Sequence, residues 1–360
     1  MEQQVHFCRS ADNVRIAYAT SGKGPPLVKA ANYLTHLEHD WNSPVWRHWM
    51  QGLSETHRLI RYDARGSGLS DWDVKTYNMD AWVRDLEAVV AALNLDRFPL
   101  LGISQGAAVC VAYAVKHPER VTHLVLYGGY ARGRFHRGLD RQGQLEAEAL
   151  INLIRVGWGQ ENPAFRQLFS TMLMPDADME QMASLNQLAQ ISATPENASR
   201  MERSFYKIDV RDLAPKVAAP TLVLHPRQDA SIPLEEGRLL ASMIPGSRFV
   251  QLESRNHILI EREPAWSRFL AEIRNFLGEG AVEKVPHPPS DIFPELTPRE
   301  RLTLELIALG LDGQQIADRL VVSPKTVRNY TSRIYAKLGA RNRGQAIVLA
   351  REAGFGKSTN

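Results

Sequence analysis

Three residues distant in the chain, Ser104, Asp229 and His257, are of the types that together carry out nucleophilic acyl transfer. Ser104 is centred in Gly102-Ile103-Ser104-Gln105-Gly106, between the apolar run Phe98–Leu101 and a helix-like segment, AAVCVAYAVKHP. A serine at so sharp a strand-to-helix turn sits in strained backbone. Glycines two positions to either side relieve the crowding, and the hydroxyl is pushed into open space. The Gln105 N–H then faces the place where an oxyanion develops. A serine nucleophile needs a base, and the base needs an orienting carboxylate. Asp229 follows strand-like Thr221–His225, and His257 follows strand-like Phe249–Leu252. Both therefore fall in loops just past strand ends, where open α/β sheets carry their ligand and catalytic groups.

The elements that must position these residues alternate along the chain. Strand-like runs at Pro26–Ala30, His57–Tyr62, Phe98–Ile103, Val121–Leu126, Thr221–His225 and Arg248–Leu252 are separated by helical patterns. That alternation predicts an α/β fold with a mostly parallel sheet. Residues 130–213 form a helical insertion carrying Trp158, Phe165, Phe169, Met172, Leu173, Met174, Met179 and Met182. Flexible thioethers and aromatics suit an adaptable apolar pocket, and equally the core between cap helices.

Over residues 5–278 the chain resembles the α/β-hydrolase family. The resemblance rests on the Ser104 pentapeptide, on Asp63-Ala64-Arg65-Gly66-Ser67-Gly68-Leu69-Ser70, and on Asp229 followed by Ile232-Pro233. It implies that Ser104 is the nucleophile, His257 the base and Asp229 its partner, with 130–213 as a cap. One stretch departs from the family pattern. Where a glycine-containing turn usually completes the oxyanion hole, this chain has Lys29-Ala30-Ala31-Asn32-Tyr33-Leu34, leaving the Tyr33 N–H as the candidate second donor. Losing one such donor costs roughly 3 kcal/mol of transition-state stabilisation. A pocket can thus survive while turnover slows. The expected ligand is small and partly apolar, with an ester, amide or lactone as electrophile.

Gly278, Gly280, Pro286, Pro288, Pro289 and Pro294 forbid a continuous helix across 279–294, the expected linker. Beyond it, residues 295–360 read as a small all-α domain. Thr297, with Pro298 and Glu300, forms a capping box for a first helix with Leu302, Leu306, Ile307 and Leu309 inward, ended by Gly310. Asp312 caps a second helix with Ile316, Ala317 and Leu320 inward. After Val321-Val322-Ser323, Pro324 opens a third, burying Val327, Ile334 and Leu338 as far as Gly339, and a fourth spans about 343–353. Two short capped helices with a tight connection make a helix-turn-helix. On the third helix Lys325, Thr326, Arg328, Asn329, Ser332 and Arg333 point outward, placed to reach base edges and phosphates. Leu296-Thr297-Pro298-Arg299-Glu300, Gln315-Ile316-Ala317, Ser323-Pro324-Lys325-Thr326-Val327 and Lys337-Leu338-Gly339 resemble the hallmarks of the LuxR-type (GerE-like) DNA-binding domain. Tyr330 and Gln315 replace its usual histidine and glutamate. The resemblance implies dimeric binding to double-stranded DNA, with the fourth helix often in the dimer contact.

Charge supports this division. The net charge of +3 splits into +4 over residues 291–360 and −1 over the rest, and Arg319–Arg343 holds seven basic side chains and no acidic one. A local positive block is what a phosphate-binding surface requires, although a merely solvated face would look alike. No stretch approaches 18 consecutive apolar residues, and MEQQVHFCRS lacks a secretion pattern, so a cytoplasmic protein without membrane spans is expected. Cys8 and Cys110, the only cysteines, fit a reducing compartment. His36 and His39 share helical spacing but have no evident third ligand, so neither a metal nor a cofactor is expected. Three functions remain open: a ligand-responsive homodimeric regulator, an active esterase or lactonase under regulatory control, and a hydrolase-like unit serving only as a dimerisation scaffold.

Overall fold

A computed structural model of the protein describes residues 2–278, 293, 295–320, 324–353 and 355. The chain divides into two compact units, Met1–Gly280 and Ala281–Asn360. Most of the linker at 279–294, the connection Val321–Ser323, and the side chains of Leu302, Arg319 and Leu320 lie outside what is described.

Eight strands build the first unit: β1 (Gln3–Arg9), β2 (Arg15–Ser21), β3 (Pro26–Lys29), β4 (Arg58–Tyr62), β5 (Phe98–Ile103), β6 (Val121–Tyr127), β7 (Thr221–Pro226) and β8 (Arg248–Leu252). Their order in the single sheet is β1-β2-β4-β3-β5-β6-β7-β8. From β4 to β8 every pairing is parallel, while β1 and β2 run antiparallel at one edge. The antiparallel edge is absent from the sequence expectation, for a physical reason. β1 reads QQVHFCR and buries no residue fully, so it offers no apolar run.

The parallel strands are buried on both faces, as such sheets require. Val28, Ile60, Leu100, Leu124 and Val223 face one layer, with Leu86 and Val89 of the helix Met79–Ala92. Leu59, Leu101, Val125, Leu222 and Leu224 face the other, against Trp49, Trp266 and Phe269. The period of two along β6 and β7 assigns neighbouring residues to opposite cores. Between β6 and β7 the chain leaves the sheet to form the helices Arg141–Gly157, Ala164–Leu173, Met179–Ser192 and Pro195–Tyr206.

The Asp63–Ser70 loop is built into this scaffold. The Asp63 carboxylate accepts N–H bonds from Leu37 and Leu69, and Ser70 Oγ donates to the Asp63 carbonyl. Buried Arg65 pairs with Asp85 at 2.7 Å and with Asp12 at 2.8 Å. This loop therefore holds the scaffold together.

The second unit has helices at Pro298–Ala308, Gly313–Leu320, Pro324–Leu338 and Arg343–Glu352. Thr297 and Glu300 form a reciprocal capping box. Asp312 and Gln315 exchange the same pair of bonds, each 2.8 Å. Leu304, Leu306, Ile307, Ile316, Val327, Ile334 and Phe355 make its core. Leu309 departs from the expected buried stripe at 39% exposure, because the helix ends at Ala308 and Leu309 already caps it.

Candidate functional site

β5 runs straight into the turn at Ser104, whose φ is +55°. For a non-glycine residue this left-handed conformation costs of order 1–3 kcal/mol and persists only where its surroundings enforce it. Here they do. Ser104 N–H donates to the Tyr127 carbonyl at 2.9 Å, Ala107 N–H to the Ser104 carbonyl at 3.0 Å, and the helix Gly106–Lys116 follows at once. A Cβ at Gly102 would meet Ala107 Cα at 2.6 Å, and one at Gly106 would meet the Ala31 carbonyl at 2.9 Å, so neither position tolerates a side chain without movement.

Asp229 and His257 come together beyond β7 and β8. His257 Nδ1 lies 2.7 Å from Asp229 Oδ2. The other carboxylate oxygen accepts the N–H groups of Ser231 and Ile232 at 2.8 and 2.9 Å. Burial alone would raise the Asp229 carboxyl, but the facing His257 and the backbone bonds hold it below the usual carboxylate range. His257 is 2% exposed, and its Nε2 is a buried ring nitrogen with no hydrogen-bond partner among the described residues. An imidazole fixed at one nitrogen and unpaired at the other is oriented for proton transfer.

Several contacts that secure this arrangement were not foreseen from the sequence. Tyr127 OH donates to the His257 carbonyl at 2.9 Å, and the N–H groups of His257 and Ile258 donate to the carbonyl of Leu173, the last residue of a cap helix. Gly128 and Gly129 follow β6. A Cβ on Gly128 (φ +56°) would stand 2.9 Å from His257 Cε1, and one on Gly129 would stand 3.5 Å from the Ser104 carbonyl oxygen, so the pair lies beside both groups. A Gly-Gly step directly after a core strand was the available signal.

Ser104, Gln105 and Tyr33 share the wall of one cavity of about 140 Å³ beneath the cap helices. The Tyr33 ring stacks on Trp158 and meets Phe205 edge-on. Of the cap residues expected to line a pocket, Trp158, Phe169, Met172 and Leu173 do so. Met174 is instead buried in the core around Trp49 and Phe269 without lining the cavity, Phe165 and Met179 are exposed, and Met182 is half-buried away from the cavity. The helical period explains the split, since one face of each helix can meet the cavity. His36 accepts the N–H of His39 as a helix cap, and no cluster of metal-binding side chains occurs among the described residues.

On the third helix of the second unit, Lys325, Arg328, Asn329, Ser332 and Arg333 are exposed and recur every three to four residues, which puts them on one stripe. Thr326 is partly buried. Two members of the basic block are occupied elsewhere. Lys337 Nζ donates to Glu300 at 2.6 Å and to the Glu295 carbonyl, and Arg343 bonds to the Leu311 carbonyl. Sequence counting could not separate these structural cations from the stripe.

The parallel sheet, the strained serine at a strand-to-helix turn and the Asp–His pair beyond later strands define a hydrolase-type α/β protein joined to a helical unit. The chain belongs to the alpha/beta hydrolase fold family, which residues 34–264 match, and residues 294–350 match the luxR family of bacterial regulatory proteins. It is 30% identical over 275 residues to 2-hydroxymuconate semialdehyde hydrolase of Pseudomonas sp. (strain CF600), covering 72% of this chain and 85% of that protein. It is 25% identical over 270 residues to pyrrolizixenacetamide deacetylase of Xenorhabdus hominickii, covering 74% and 95%. A hydrolase from Pseudomonas aeruginosa PA01 has the same fold, with a TM-score of 0.64 at 23% identity over 76% of this chain and 98% of its own. No helix among the described residues is long and apolar enough to cross a membrane.

Proposed function

We propose that the protein is a cytoplasmic, homodimeric transcriptional regulator whose hydrolase-like unit binds a small ester, lactone or amide and hydrolyses it slowly. The observation that carries this reading is the presence, in one chain, of a luxR-family unit with an exposed basic stripe and a hydrolase unit with its Asp229–His257 pair intact.

In this reading His257 Nε2 accepts the Ser104 hydroxyl proton as Oγ attacks the carbonyl carbon, and Asp229 holds the imidazole in the required tautomer. The N–H groups of Gln105 and Tyr33 receive the developing oxyanion, aided by the positive end of the helix Gly106–Lys116. Returning the proton from His257 expels the alcohol or amine, and water repeats the cycle on the acyl-enzyme. No cofactor is required. Lys325, Thr326, Arg328, Asn329, Ser332 and Arg333 meet the major groove of double-stranded DNA.

Relatives named as a semialdehyde hydrolase and a deacetylase support an acyl-transfer pocket, and the unpaired His257 Nε2 supports one competent for proton transfer. That intact pair also favours a second reading, an active esterase or lactonase with an appended regulatory domain. Footprinting of the full chain on genomic fragments tests the first reading. Protection of a two-fold-related site that weakens as salt rises is expected, and no protection under any condition would leave only the enzyme.

A further inference from the structure

The cavity that holds Ser104 has three arginines in its wall, Arg134, Arg137 and Arg166. Arg134 lies 3.5 Å from Glu146, and Arg137 lies 3.9 Å from Glu236. Arg166 differs from both. It is 4% exposed and has no carboxylate partner among the described residues. Its Nη1 donates to the carbonyls of Trp158 (3.0 Å) and Gln160, and its Nε is buried with no partner among the described residues. Carbonyl dipoles fix the group without neutralising it, and a buried cation lacking a counter-charge is strongly destabilising. Glu202 stands in the same wall. Burial pushes its carboxyl up to about 7 against the opposing Tyr206 hydrogen bond and Arg134 charge, so near neutral pH it is a poor source of that counter-charge.

We infer that Arg166 is the anion-recognising residue of this cavity, and that the small ester, lactone or amide it takes carries a single carboxylate, with an apolar body beside Ser104. The inference rests on reading the cavity as a ligand site and names the class of ligand. A guanidinium fork matches one carboxylate in two-point geometry, and a second anionic group would meet only Arg134 and Arg137, which already face Glu146 and Glu236. Trp158, Phe169, Met172 and Leu188 supply the apolar wall. The volume, about 140 Å³, is close to that of a cavity known to accept one benzene ring, roughly 150 Å³. An aryl or short acyl chain fits. Arg166 lies on the helix Ala164–Leu173, whose Leu173 carbonyl holds the His257 backbone, so a carboxylate bound to Arg166 engages the element that positions the imidazole.

Phenylacetate and phenylacetamide, equal in shape and different in charge, test this by calorimetric titration of the full chain at pH 7. The carboxylate should bind about tenfold more tightly. Arg166→Met should abolish the preference, and Arg166→Lys, which keeps the charge and loses the fork, should retain part of it. Should the methionine variant fail to fold, the lysine variant still decides, because an undiminished preference there overturns the assignment. Equal binding of the two probes, no binding of either, or a preference that survives Arg166→Met would also overturn it. Labelling of Ser104 by a fluorophosphonate reports separately on the hydrolytic reading. Labelling without carboxylate preference defeats only the present inference, and preference without labelling defeats only the hydrolysis.

Discussion

In the hydrolase unit the proposed catalytic residues 104, 229 and 257 are far apart in the chain, each just past the end of β5, β7 or β8, and Asp229 and His257 meet there. In the C-terminal unit the exposed polar stripe lies wholly within Lys325–Arg333 of one helix. The first region buries the Asp229 carboxylate and the His257 ring, and backbone N–H groups, Tyr127 and the Leu173 carbonyl fix them. The second holds its charges in solvent and spends capping boxes and a Lys337–Glu300 pair on keeping the helix in place. A site that moves protons needs fixed, desolvated partners, while a surface that meets a polyanion needs free cations.

If the two regions act by these separate means, a change in one should leave the other's intrinsic chemistry intact. Asp229→Asn should have the largest effect. It leaves the imidazole in the wrong tautomer, so acylation of Ser104 by 4-nitrophenyl acetate should fall by about 10⁴-fold. Stopped-flow release of nitrophenolate measures this, and an unchanged rate would show that the pair does not drive chemistry. Replacing Arg328 and Arg333 together by Ala should come next. The slope of log affinity for DNA against log salt should become shallower by about 2, roughly 1 for each lost phosphate contact, with acylation unaffected.

The smallest effect concerns Glu202. Its carboxyl is raised in the folded state to about 7 by burial, against the hydrogen bond from Tyr206 and the charge of Arg134, with the Tyr33 and Tyr130 hydroxyls also near. A raised carboxyl leaves stability intact below the unfolded-state value and removes it as pH climbs through the folded one. Glu202→Gln should therefore gain thermal stability relative to the native protein between about pH 4.5 and pH 7. Thermal midpoints measured from pH 4 to pH 8 read the difference directly, and a difference independent of pH would contradict it.

The same contrast explains what was legible in the sequence. β5 and β8 end where the apolar runs end, and Asp229 and His257 are found by asking what stands just past a strand. The caps at Thr297 and Asp312 and the positive φ of Gly310 and Gly339 follow from local rules that need no tertiary context. Features decided by long-range packing were hidden. The β1–β2 edge has too little burial to leave an apolar pattern. Arg166, in the segment AFRQLFSTML, reads as an ordinary solvated helix position, and only the fold shows it buried against the cavity. Lys337 looks like part of the DNA-facing charge until Glu300, 37 residues earlier, is brought against it.

If the regulator responds to its ligand, as the sequence leaves open, occupancy of the Ser104 cavity and DNA affinity are linked. The most direct measurement is titration of a footprinted DNA fragment with the full chain before and after stoichiometric fluorophosphonate modification of Ser104. Linkage of 1–3 kcal/mol predicts a change in affinity of about 5- to 150-fold, in either direction. Identical affinities for the modified and unmodified protein would contradict the account.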